Sequence, residues 1–185
     1  MKVGKQTKRS TAYHEAGHAV IGRVLTLHCG HATIKPNYEQ AEAGHVITHA
    51  PYSCLYEWEK RGKVRDSQDV VLHARIMTYM AGAEAEMILL GSSGVGDTDD
   101  REQIALMAEE LHRDTNWEKL EPRLRIMTRM LVRRHRVRIE RVAKTLLTKT
   151  TLSEKALDKL VGRSVDDVKV NAPYLLAMHR QRGAA

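Results

Sequence analysis

Apolar residues along this chain recur mostly at helical spacing. Ala16, Ala19, Val20, Val24 and Leu27 fall on one side of a helix, which Ser10 or Thr11 is placed to cap. Cys29-Gly30 is expected to end it, since glycine tolerates a left-handed C-terminal position. Met77, Met80, Ala81, Ala85, Ile88 and Leu89 mark a second helix, over about 67–90. Further helices are expected over about 98–114 and 121–148, and a last one over about 153–161, opening on Ser-Glu-Lys. Two short stretches depart from this rhythm and read as strands, 31–35 and 45–50, each followed by a proline, Pro36 and Pro51. The polar connection between them contains Gly44, giving a hairpin or ribbon with a long loop. Residues 51–65 read as a loop or partial helix, and Gly91-Ser92-Ser93-Gly94-Val95-Gly96 as a flexible connector. The expected fold is therefore mainly α with a small β element. Residues 1–9 form a flexible basic lead-in, 10–162 a single domain and 163–185 a tail, with no internal repeat.

Composition agrees with packed helices. The chain has 185 residues, 42% of them apolar, and no phenylalanine, so its core rests on Leu, Ile, Val, Met and Ala. No apolar run is long enough to span a membrane, and the lead-in has no apolar stretch of the secretory kind. Cys29 and Cys54 make no recognisable framework, so a bridge between them is disfavoured and a reducing, cytoplasmic setting is expected. Net charge is +7 and unevenly placed: residues 84–118 are mostly acidic and 123–149 strongly basic. Such asymmetry signals solvated helix faces, an acidic partner or nucleic acid, or one segment packing on the other.

The chemistry lies on the first helix. His14-Glu15-Ala16-Gly17-His18 fits HExxH. Residues four apart lie one above the other on a helix, so His14 and His18 can share one zinc ion. Glu15 can sit beside the metal's open position as a general base for water without coordinating. Gly17 is costly inside a helix, by about 1 kcal/mol against alanine, which implies a close neighbour. A catalytic zinc site usually has a third protein ligand. The HExxHxxGxxH form is absent, because Ile21 and Val24 stand at its glycine and third histidine. Asp97, Asp99 and Asp100, after the glycine connector, are the best candidates; each is also a candidate helix cap or first-turn acid. Glu84 and Glu86 are alternatives, or could orient a histidine through its second nitrogen.

Thr11-Ala12-Tyr13-His14-Glu15-Ala16-Gly17-His18-Ala19-Val20 closely resembles the zinc-site helix of FtsH-type peptidase domains. Matches continue in order. His31-Ala32-Thr33-Ile34-Lys35-Pro36 resembles the family's first strand, and Gly44-His45-Val46-Ile47-Thr48 with Pro51 its substrate-lining strand. Ala81-Gly82-Ala83-Glu84-Ala85-Glu86-Met87-Ile88 with Gly91 resembles its helix ending in an acidic pair and glycine, Met87 replacing the second acid. Thr98-Asp99-Asp100 falls where the family has Ser-Asn-Asp. Residues 134–147, then Thr151, Leu152 and Leu160, resemble its C-terminal helices, whereas 116–129 reads differently.

The resemblance implies a zinc metalloendopeptidase with Glu15 as catalytic base and His14, His18 and Asp100 as metal ligands. It implies that Gly44, His45, Val46, Ile47 and Thr48 bind an extended polypeptide, and that the chain assembles as a homo-oligomer, a hexamer. No GxxxxGK[ST] loop exists, so the family's ATPase motor is missing. Substrates would be unfolded or flexible, or delivered by a separate ATPase. Two other readings compete: an inactive interaction module on the same scaffold, and a basic nucleic-acid binder. The latter ranks last, because few aromatic residues accompany the arginines of 123–149.

Overall fold

Thr7 caps the first helix. Its hydroxyl accepts the Ser10 backbone N–H at 3.0 Å, and the Ser10 hydroxyl accepts the Thr7 N–H at 2.8 Å. Ser10 is therefore the inner member of a capping box and not the cap itself. The computed structural model describes residues 7–25, 27, 29–36, 44–48, 68–92, 97–111 and 115–161. In chain order they form α1 (Lys8–Val24), β1 (Cys29–Thr33), β2 (His45–Thr48), α2 (Gln68–Leu90), α3 (Thr98–Glu109), α4 (Trp117–Arg134), α5 (Arg136–Lys149), β3 (Thr151–Leu152) and α6 (Glu154–Val161). The mainly helical class with a small β element is what the chain adopts.

The core is built around α1. Every residue from Ser10 to Val24 is buried, between α2, α5 and the sheet. Small residues let α2 come close. A Cβ on Gly17 would lie 2.5 Å from the Ala81 carbonyl oxygen and 2.9 Å from Ala85 Cβ. This is the close neighbour that a mid-helix glycine implied. Leu72, Ile76, Met77 and Met80 of α2, Leu124 of α4 and Ile139 and Leu146 of α5 complete the core.

Several boundaries differ from those the pattern predicts. α1 stops at Val24; Leu27 N–H then bonds Gly22 O at 2.9 Å as the chain peels away. Cys29-Gly30 therefore opens β1, which lies two residues earlier than expected, and ends no helix. α3 ends at Glu109, short of its expected limit, and residues 49–50 of the expected second strand lie outside the described residues. The expected helix over 121–148 is two helices. α4 starts earlier, with the Asn116 side chain accepting Lys119 N–H at 3.0 Å, and Pro122 inside it forfeits one hydrogen bond without ending it. His135 leaves helical geometry at φ −100°, ψ 15°, and α5 restarts at Arg136.

Thr150, at φ 61°, turns the chain into β3, which the pattern did not suggest. The sheet is antiparallel with order β2-β1-β3. Thr33 and Thr151 face each other across β1 and β3, their hydroxyls 2.8 Å apart. Among the described residues no helix is long and apolar enough to cross a membrane. The lead-in 1–6, the strand connection 37–43, the loop 51–65 with Cys54, connector residues 93–96 and the tail from 162 lie outside the described residues.

Candidate metal centre

α1 and α2 position most of the centre. His14 and His18 project from α1 one turn apart, and α2 fixes both rings from behind. His14 Nδ1 lies 2.7 Å from Glu86 Oε1, and His18 Nδ1 lies 2.7 Å from the Thr78 carbonyl oxygen. A carbonyl can only accept, so His18 Nδ1 is a donor, and in the neutral ring Nε2 carries the lone pair. The Glu86 carboxylate imposes the same tautomer on His14. The rings meet edge to face, with centroids 4.6 Å apart.

α3 brings the third group. Asp100 Oδ2 lies 2.9 Å from His14 Nε2 and 3.2 Å from His18 Nε2. Two imidazole lone pairs and a carboxylate oxygen thus converge on one spot, all within 4.8 Å. Acceptors facing one another repel unless a cation lies between them, either a proton or a metal ion. The proton affinities express that demand. Burial opposes charging of His14, but the Asp100 and Glu86 carboxylates hold it well above the ordinary imidazole range. Burial likewise opposes the His18 cation, and the Asp100 charge and hydrogen bond outweigh it. Burial would raise Asp100, yet the two rings beside it, His18 foremost, bring its carboxyl below the usual carboxylate range. Two nitrogens and one oxygen, with both rings' outer nitrogens anchored, fit a divalent metal ion.

The neighbouring acids have other duties. Asp97 Oδ2 pairs with Arg101 at 2.6 Å, and Asp99 is exposed in the first turn of α3. Glu84 lies on α2 facing α4, where it accepts from Arg125 at 3.1 Å and Arg129 at 2.8 Å. So the acidic and basic stretches do pack on each other here. Glu15 is buried on α1 beside His14.

Gly44, which leads β2, packs against this region. A Cβ there would stand 2.7 Å from Thr33 O, 2.9 Å from Thr11 Cγ2 and 3.1 Å from Glu15 Cγ. The close approach Gly44 permits is therefore to α1 and β1. His45 and Val46 follow it, half-buried, and the backbones of Val46 and Thr48 lie opposite Ala32 and Cys29. Among the described residues β2 and β3 are the two outer strands of the sheet.

One contributor escaped the residue-by-residue reading. A Cβ on Gly82 would stand 2.6 Å from Nε2 of both His14 and His18. Any side chain at that position would fill the space the two nitrogens face. The available signal was the one read at Gly17, a glycine held inside a helix at a cost.

No protein-family model matches the chain, and no curated protein matches it.

Proposed function

We propose that this chain is a zinc-dependent metalloendopeptidase of the FtsH-like type. The observation that supports it is the convergence of two Nε2 atoms and Asp100 Oδ2 on one point, with buried Glu15 next in sequence to His14. Imidazole nitrogens favour zinc over magnesium or calcium, and three protein ligands leave a position open for chemistry. Zinc bound there supplies Lewis acidity, making water more acidic and a peptide carbonyl more electrophilic.

The chain's own residues do the rest. His14, His18 and Asp100 hold the metal, and Glu86 with the Thr78 carbonyl keeps both Nε2 lone pairs aimed at it. Glu15 takes the proton from the attacking water and delivers it to the leaving amine. Buried and screened from bulk water, that carboxylate works where electrostatic effects are strong. β2 offers an outer strand to which an extended peptide adds through main-chain hydrogen bonds. Its leading residue, Gly44, packs on Glu15, so a peptide along β2 runs past the base. The substrate is an unfolded or flexible polypeptide, met in the cytoplasm either directly or from a separate ATPase. A nucleic-acid surface is disfavoured, because Arg125 and Arg129 are turned onto Glu84 and Arg136 onto Glu140.

Cleavage of unfolded casein by zinc-loaded protein tests the reading. Glu15→Gln is expected to lower turnover by at least about a hundredfold while retaining zinc. Equal cleavage by both proteins overturns the role of Glu15. Zinc bound by the wild type without cleavage of any of several unfolded substrates favours the inactive module.

A further inference from the structure

His31 and His45 lie on adjacent strands of the sheet and are not members of the ligand set of α1 and α3. Their Nε2 atoms are 3.3 Å apart and their ring centroids 5.3 Å apart. Both rings are half-buried, so they are held by packing yet reached by solvent. That nitrogen separation admits an N–H···N hydrogen bond when one ring donates. It is also what a shared metal requires: two Zn–N bonds of about 2.0–2.1 Å at the tetrahedral angle set their nitrogens about 3.3–3.4 Å apart.

The backbone explains how the rings meet. β1 and β2 pair Cys29 with Thr48 but Ala32 with Val46, so β1 carries one extra residue over Gly30 and His31. A bulge of this kind leaves residues out of the ladder and re-aims a side chain. His45 is paired with Thr33, two residues from His31, so the rings approach diagonally across the strands.

We propose that His31 and His45 form a second site for a first-row divalent metal that favours imidazole, with zinc as the reference ion. The metal clasps β2 to β1 beside Gly44 and Glu15. With two protein ligands instead of three, the site is the weaker of the two. The clasp is independent of the hydrolytic reading, because it concerns metal count alone.

Metal-depleted protein is titrated with zinc against a competing chromophoric chelator. Wild type is expected to take up two equivalents in two affinity classes. His31→Ala and His45→Ala each retain the tighter equivalent and lose the weaker, and Asp100→Ala does the reverse. If both histidine variants still bind two equivalents, the clasp is overturned. A further variant guards against a mere loss of fold. His31→Cys restores a ligand at the same place, so it should recover the second equivalent and, loaded with cobalt, show a thiolate charge-transfer band absent from wild type. Failure to recover either overturns the proposal as well.

Discussion

α2 presents one face to α1 and another to α4, and each face buries a glutamate. Glu86 and Glu84 lie two residues apart and are 2% and 3% exposed. Their partners make them different. Glu84 meets two guanidinium groups, Arg125 and Arg129, that remain charged at any working pH. Glu86 meets the Nδ1 of a histidine whose other nitrogen faces Asp100. The first arrangement is complete in itself and ties α2 to α4. The second leaves acceptor atoms pointed at one another and is completed by a cation. A buried carboxylate on a helix is thus structural or functional according to what its partner can do with its remaining valence.

Substitutions on the two faces should separate sharply. The largest effect is expected from Gly82→Ala on the α1 face, whose new methyl group would occupy the space both Nε2 atoms face. Tight zinc binding should disappear in equilibrium titration while far-UV circular dichroism stays helical. Wild-type affinity in this variant would show that the two rings can part without cost. Glu86→Gln should come next, weakening zinc binding by about 10–100-fold, since a ligating imidazole loses the carboxylate that orients it. Glu84→Gln should leave zinc affinity unchanged and lower stability to urea by only about 1 kcal/mol. Its arginine partners are 34% and 44% exposed, so water takes over much of their solvation.

pH gives a graded test of the α1 face. His14 and His18 hold protons to higher pH than a free imidazole, and a metal must displace them. Zinc affinity at the centre should therefore fall as pH drops through the raised imidazole values. The same raised values mean that the metal-free fold gains stability from the charged rings at low pH and loses it as pH rises through them. Calorimetric zinc titrations and urea unfolding of metal-free protein at several pH values check both signs.

The parts of the centre differ in how they could be read from residues alone. His14, His18 and Glu15 share one helical turn, so local spacing was enough to join them. Gly17 announced a close neighbour, and Ala81 and Ala85 of α2 are that neighbour. Asp100 lies 86 residues from His14, and spacing alone left it level with Asp97 and Asp99. The family resemblance favoured Asp100, and in the structure α3 turns Asp97 to Arg101 and leaves Asp99 exposed. The Thr78 carbonyl is main chain and leaves no mark in side-chain pattern. The helices were legible from their apolar period, and so were the bounds of α2 and α6 and the start of α3, but the break inside 121–148 was not. α4 and α5 part at His135, where no proline or glycine marks the break. β3 is two residues long, too short for an alternation to register.

The metal centre proposed for this chain requires Asp100 to join His14 and His18 around one metal ion. Zinc affinity of Asp97→Ala, Asp99→Ala and Asp100→Ala, measured side by side against the same chelator, tests this most directly. The structure predicts that Asp97→Ala and Asp99→Ala keep the tight equivalent and Asp100→Ala loses it. Tight binding retained by Asp100→Ala, or lost equally in all three, would contradict it.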